Sequence, residues 1–434
     1  MPENPEPPAP AAVRPTFWEA ARYWFRLGCI SFGGPAGQIA IMHTDLVDRK
    51  RWISEERFLH ALNFCMLLPG PEAQQLATYI GWRLHGTAGG VVAGALFVLP
   101  AAILLWALSW LYAAAGSVPA IAAIFYGLQP AVIAIVAAAV LRIGRTALRN
   151  RAMWAVAAAA FVALFVFKIS FLAVIATAAM IGAAGARWYP RSFARPPSGE
   201  AAAPLPDREP LDHGRTVRIA VTCLLLWWTP VALACLWPEA IFASLGMFFS
   251  KAALVTFGGA YAVLPFVAQQ AVEHYHWLTA SQMVAGLGLA ETTPGPLILV
   301  LEFVGFLAAW QHPGTLPPLA AGTLGAMVTL WVTFVPSFLF VLTGAPYMER
   351  LRGSRVLSGA LSTITAAVAG IILNLAVWFG IHVIFPGPQR VDFFALALAV
   401  VFFLGIWKGR WPVLPVVAGS AVLGLAAKLF LAIP

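Results

Sequence analysis

The chain has 434 residues, 61% of them hydrophobic and only 10% charged, with a formal net charge of +9 and a mean hydropathy of +0.82. Soluble domains carry about 25% charged residues, so this composition excludes an ordinary soluble enzyme and points to an all-α polytopic membrane protein. The positive balance is no nucleic-acid signal, because Lys and Arg cluster in short loops between apolar segments, where cytoplasmic retention places them.

Residues 1–16 are Pro-rich and acidic and lack the basic start of a signal peptide; they read as a disordered cytoplasmic tail. A first membrane repeat is expected over 17–186. It opens with an apolar segment, Phe17 to Met42, that holds Ser31-Phe32-Gly33-Gly34 near its middle. A basic stretch with Arg49, Lys50, Arg51 and Arg57 follows. The next apolar segment, Arg57 to Leu84, has Pro69-Gly70-Pro71 at its centre. Further apolar spans, separated by a basic loop at Arg142 to Arg151, complete the repeat. A linker rich in Arg and Pro is read over 187–216, and a connecting transmembrane helix over 217–240.

The rest, 241–434, reads as a second copy of the first repeat. Thr256-Phe257-Gly258-Gly259, Trp277-Leu278-Thr279 and Pro294-Gly295-Pro296 match Ser31-Phe32-Gly33-Gly34, Trp52-Ile53-Ser54 and Pro69-Gly70-Pro71, all at an offset of 225 residues. Pro336 and Val368 match Pro100 and Val132 at 236, and Trp407-Lys408 matches Phe167-Lys168 at 240. An odd span between two copies turns the second upside down, so the expected fold is two inverted-topology repeats, a recurrent transporter design.

A simple count gives thirteen spans. Loop charge favours another arrangement. The segment with Arg49 to Arg57 is basic while its partner, Val272 to Gln282, has no Lys or Arg. Keeping the basic loops inside requires one apolar segment between Arg57 and Arg142 to turn back. The segment centred on Pro69-Gly70-Pro71 is the candidate, since Pro removes a helical hydrogen bond and Gly tolerates the turn. Applied to both PGP segments and both FGG segments (Phe17 to Met42, Ile241 to Ala268), this gives about nine full spans plus four re-entrant hairpins. All Lys and Arg then fall toward the cytoplasm except Lys168, Lys251, Arg390 and Lys428. Non-helical backbone inside a membrane must be buried or line a cavity, so each break points to the site.

A helix restarting after a break aims free N–H groups at the tip, where they attract anions. Gly33, Gly34, Gly258 and Gly259 would admit an oxyanion close to the backbone, though such pairs also serve tight helix packing. Ser31 and Thr256 offer hydroxyls. Pro69, Gly70, Pro71, Thr293, Pro294, Gly295 and Pro296 shape the turns, with Gln74, Gln75 and Asn63 as neutral polar groups nearby. Arg26 and Lys251 are repeat partners and suit a dianion; snorkelling to an interface is the alternative. Glu72, Glu291 and Glu302 lie within the broken segments beside the PGP turns, and a buried carboxyl favours its neutral form, which makes them candidate proton relays. Trp52 and Trp277 read as interfacial anchors, with Ser54 and Thr279 as N-caps. Cys29, Cys65, Cys223 and Cys235 are isolated, and no Walker A, flavin, haem or metal pattern occurs, so no cofactor or metal is expected.

Phe32-Gly33-Gly34-Pro35, Lys50-Arg51-Trp52-Ile53-Ser54-Glu55 and Leu68-Pro69-Gly70-Pro71-Glu72-Ala73-Gln74-Gln75-Leu76-Ala77, with Phe257-Gly258-Gly259 and Thr293-Pro294-Gly295-Pro296 in the second half, resemble the chromate ion transporter (CHR) family, long-chain two-domain type. The resemblance covers the chain from about Phe17. It implies chromate efflux across the bacterial inner membrane by a multi-pass, non-enzymatic protein, with sulfate as a similar tetrahedral competitor, membrane lipid as its surroundings and a homodimer left open. Proton coupling and exchange with sulfate fit the same reading. An uncoupled anion channel and an intramembrane redox enzyme are the alternatives.

Overall fold

The computed structural model describes residues 14–116, 118–193, 212–347, 355–387 and 390–430. Most of the tail expected over 1–16 and most of the linker expected over 187–216 lie outside the described residues. Among those described, the chain is all helical apart from an isolated bridge between Gly387 and Arg390.

The first half runs α1 (Phe17–Ile30), α2 (Gly34–His43) with a π-helical turn over Thr44–Arg49, α3 (Glu55–Cys65), α4 (Glu72–Ala115), α5 (Pro119–Ala147), α6 (Arg151–Phe165) and α7 (Phe171–Trp188). A short α8 (Pro190–Phe193) and the connecting helix α9 (His213–Cys235) follow. The connecting helix was expected over 217–240. It starts four residues earlier because Asp212 accepts the Arg215 N–H as N-cap, and it ends ahead of Pro238. The second half repeats the order: α10 (Ala240–Val255), α11 (Ala260–Gln269) with a π turn over Gln270–His274, α12 (Ala280–Thr292), a 3-10 turn leading into α13 (Val300–Gln311), α14 (Pro318–Gly344), α15 (Arg355–Ile384), α16 (Phe393–Trp407) and α17 (Val413–Phe430).

Equivalent helices begin with equivalent chemistry. Ser54 caps α3, and Thr279 caps α12 in a full capping box with Gln282. Asn150 caps α6, and Asp392 caps α16. Even the interruption is shared. Within α4, His85 and Gly86 leave helical geometry, with Gly86 at φ 65°, and at the matching place in the second half the chain leaves α13 and restarts as α14. Trp52 and Trp277, expected at the lipid interface, are instead buried. Trp52 packs edge-on to Tyr23, and Trp277 stacks on Tyr275 at 4.3 Å.

Among the described residues, seven helices are long and apolar enough to cross a membrane: α4, α5, α7, α9, α14, α15 and α17. The chain is a multi-pass membrane protein. Helices α6 and α16, with 15 residues each, are shorter. The limbs flanking each FGG break are shorter than a crossing too: α1 has 14 residues, about 21 Å at 1.5 Å per residue against roughly 30 Å of hydrocarbon.

The two halves interlock. Helices α6 and α7 pack on α15 of the second half, α16 and α17 pack on α5 of the first, and α5 packs on α15. Close approach is made by small residues: Gly182 of α7 lies against Gly359 and Thr363 of α15, and Gly424 of α17 lies against Gly127 of α5. On the other side, α1 packs on α4 and α10 on α14, while α4 contacts both α13 and α14. The broken segments sit within this second group.

Candidate functional site

Helix α1 stops at Ile30 because Gly33 and Gly34 take φ of 90° and 72°, a region that side chains disfavour. Gly258 and Gly259, at 80° and 89°, end α10 in the same way. A methyl group at Gly33, Gly34 or Gly258 would meet nothing within 4 Å; at Gly259 its nearest neighbour would be Glu72 Oε1, at 3.7 Å. Bare backbone beside open space thus lies where α2 and α11 expose their first N–H groups, which is the arrangement that receives an anion.

The PGP turns are held differently. Gly70, at φ 132°, donates its N–H to Thr256 O at 2.8 Å, and Gly295, at φ 94°, donates to Ser31 O at 2.9 Å. Each PGP turn is therefore clasped to the FGG break of the other half. Each also packs on the residue after a helical proline of the other half: Gly70 against Ser337, which follows Pro336, and Gly295 against Ala101, which follows Pro100. Gln38 secures one clasp, its Nε2 donating to Gly295 O at 2.6 Å and Ser31 O at 3.2 Å. These bonds satisfy backbone groups that the breaks orphan inside the membrane, where an unmade hydrogen bond is costly. The four breaks thus meet in two pairs, each made of one break from either half.

Of the residues singled out from sequence, Ser31, Gly70, Pro71, Gln74, Gln75, Thr256, Gly259, Thr293, Pro294, Gly295 and Pro296 are buried there, and Pro69 partly so. The hydroxyl protons of Ser31 and Thr256 were expected to face a ligand. They are engaged instead by Leu27 O and Ala252 O, one helical turn back. Gln75 Nε2 donates to Pro69 O at 2.8 Å and Gln74 Nε2 to Thr78 Oγ1 at 3.1 Å, leaving both amide oxygens without a partner among the described residues. Asn63 is exposed. Arg26 and Lys251 are exposed as well. Arg26 lines a 620 Å³ cleft between α1 and α2 that also holds Asp45, Arg49 and Lys50. Arg49 pairs with Asp45 at 3.2 Å, and Lys50 lies 4.7 Å from the Trp52 ring.

The three acids occupy different settings. Glu72 opens α4, half-buried, and faces Gly259 of the opposite break. Glu291 accepts a hydrogen bond from the Tyr261 hydroxyl at 2.5 Å. Glu302 is 1% exposed, with Oε2 unpartnered among the described residues. Sequence reasoning missed Gln38 and Tyr261, whose partners lie 257 and 30 residues away.

The family model described as chromate transporter matches residues 18–183 and 243–425. The chromate transport protein of Cupriavidus metallidurans is 30% identical over 437 residues, covering 98% of each chain. That of Pseudomonas aeruginosa is 32% identical over 415 residues, covering 92% of this chain and 90% of its own. An uncharacterised transporter of Methanocaldococcus jannaschii is 26% identical over 402 residues, 92% of each chain. No solved structure matches the chain.

Proposed function

The chain belongs to the chromate transporter family, and on that premise we propose that it carries chromate out of the cell across the bacterial inner membrane, coupled to inward proton movement. The observation that carries this reading is the reciprocal clasp. Gly70 on Thr256 and Gly295 on Ser31 tie the two halves together through two buried, symmetry-like contacts, with unfilled space at Gly33, Gly34 and Gly258 of the same breaks. A centre shared by two copies of one unit suits alternating access, in which one half moves against the other around a fixed site.

In this reading the repeats occupy 17–186 and 241–434 in opposite orientations, and the amino terminus is cytoplasmic. The FGG and PGP segments are re-entrant, each break pointing N–H groups at the dianion. Arg26 and Lys251 supply positive charge along its route. Glu72, Glu291 and Glu302 are the candidates for the proton. An inside-negative potential favours exit of a dianion by about 4.6 kcal/mol per 100 mV, so export runs downhill even before protons contribute.

The test is flux into and out of proteoliposomes holding the purified chain. Saturable chromate flux that rises with an opposing proton gradient is the expected result. Preference for sulfate over chromate would reassign the substrate, and non-saturating flux indifferent to the proton gradient would make the protein a channel. A change in chromium oxidation state on incubation would point to redox chemistry instead.

A further inference from the structure

The 620 Å³ cleft between α1 and α2 is lined by Tyr23, Arg26 and Ile30 of α1, Ile41 of α2, and Asp45, Arg49 and Lys50 in or just after the π turn. Ile30 is the last residue of α1, so the cleft leads up to the FGG break. Three cations face one carboxylate here, a surplus of two positive charges. Arg49 and Asp45 cancel each other as an ion pair at 3.2 Å. Arg26 and Lys50 have no ion-pair partner among the described residues. Lys50 is held instead against ring faces, 4.7 Å from Trp52 and 5.8 Å from Tyr23, which fixes an ammonium without neutralising it.

The second half has the same positions but not the same cleft. At the offset of 225 residues, Arg26 becomes Lys251, while Tyr23, Ile41 and Lys50 become Phe248, Phe266 and Tyr275. Those three rings pack together, with Phe248 5.3 Å from Phe266 and 5.5 Å from Tyr275. Asp45 and Arg49 become Gln270 and His274, so the ion pair is replaced as well. The limbs also differ in setting. Eight of the ten residues of α11 are buried and the helix packs on α15, whereas two of the ten residues of α2 are buried. One half presents an open, cationic cleft; in the other the matching place is filled by aromatic side chains.

A surplus of two charges suits a small dianion. The cleft is roomy enough to take such an ion with water around it, so selection rests on charge rather than on close fit. Attraction of this kind raises the local concentration of the ligand at the mouth of its route and is screened by salt. An anionic lipid headgroup offers related phosphate chemistry at a basic cytoplasmic cluster. The free dianion fits better on two grounds: a phosphodiester headgroup carries one charge rather than two, and the cleft ends beside the bare backbone of Gly33 and Gly34, which borders open space.

We propose that the α1–α2 cleft is a loading site, where Arg26 and Lys50 hold the dianion, framed by the Arg49–Asp45 pair, before it reaches the Gly33–Gly34 break, and that the second half has no equivalent. In the topology proposed above this cleft faces the cytoplasm. The anion is therefore collected on that side, and the aromatic counterpart does not retain it on the other. The inference rests on the oxyanion-transport reading and names the place and the side at which the substrate is first bound.

The experiment measures binding of labelled chromate and labelled sulfate to the purified full chain by equilibrium dialysis, in detergent free of anionic lipid, with each variant taken as monodisperse protein. Lys50→Gln should weaken binding of both anions roughly tenfold or more, and Lys50→Arg should keep most of it. Arg49→Gln leaves Asp45 uncancelled and should weaken binding comparably. Asp45→Asn combined with Arg49→Gln keeps the surplus of two charges and should return binding close to wild type. In inside-out membrane vesicles, where the cytoplasmic face is outward, Lys50→Gln should raise the half-saturating chromate concentration; in right-side-out vesicles it should leave that value unchanged. Wild-type affinity in Lys50→Gln overturns the proposal, as does a double variant that binds no better than Arg49→Gln, or an equal rise from both faces. So does a Lys50→Gln protein that binds both dianions normally but is no longer stabilised by added phosphatidylglycerol, since the cleft would then be a headgroup site. If wild-type vesicles move neither anion, it is the transport reading that fails.

Discussion

At the scale of single residues, the glycines divide into two kinds. Gly33, Gly34 and Gly258 border open space, whereas Gly70 and Gly295 are wedged between halves. Gly70→Ala forces a methyl onto Ser337 and Gln75 at φ 132°, so overpacking of about 1–3 kcal/mol is expected, read as a lower melting temperature in detergent. Ser337→Gly should recover part of that loss and Ala101→Gly none of it. For Gly295→Ala the pattern should reverse, since its neighbour is Ala101; equal rescue by either partner would show that the clasp is not specific. Arg26 and Lys251 make a separate prediction. Loss of a charged hydrogen bond to a dianion costs about 1.5–3 kcal/mol, so Arg26→Gln and Lys251→Gln should each raise the chromate Kd roughly tenfold to a hundredfold. Calorimetry on purified protein checks this, and wild-type affinity in both variants would assign the exposed pair to snorkelling. Arg26 was legible from the repeat alone. That it shares a cleft with Arg49 and Lys50 was not, because α1 and the π turn meet only when the chain folds back at Gly33.

At the scale of elements, the breaks were legible because Gly-Gly and Pro-Gly-Pro act locally, through backbone freedom and a missing donor. The capping box of α12 was legible for the same reason. The π turns after α2 and α11 were not, since they depend on a bonding register that the side chains do not announce. The break at His85 and Gly86 carried only a lone glycine as its signal. The short limbs lead to a topology prediction. If Arg57 to Leu84 is re-entrant, cysteines at Arg51 and Arg83 should react with an impermeant reagent from the same face, the cytoplasmic one. Labelling from opposite faces would restore a thirteen-span arrangement.

At the scale of the whole molecule, neither half contains a complete centre. Gly70 depends on Thr256 for its backbone bond, Gly295 depends on Ser31, and α5 and α15 each cradle the last two helices of the other half. A chain cut once between 194 and 211 and co-expressed as two pieces should therefore assemble and transport, because α5, α6, α7, α15, α16 and α17 join the halves directly. Residues 1–193 alone should be degraded or inactive. Transport by the isolated first half in vesicles would show that the clasps are dispensable.

The sequence by itself determined that the chain lives in a membrane, that it is duplicated, where its helices break and which family it resembles. Each of these follows from composition or from residues close together along the chain, so hydropathy, backbone chemistry and matching spacing were enough. Which break meets which was decided only by the tertiary structure. The pairing of Gly70 with Thr256 joins residues 186 apart, and no local propensity encodes it; the interlocking of α5 with α16 and α17, and of α15 with α6 and α7, brings the turns together. The same folding used up the hydroxyl protons of Ser31 and Thr256 on their own helices and left those of Thr329, Thr333 and Ser337 without a partner among the described residues. A hydroxyl reads the same in sequence either way; what it bonds to depends on how closely the neighbouring helices approach.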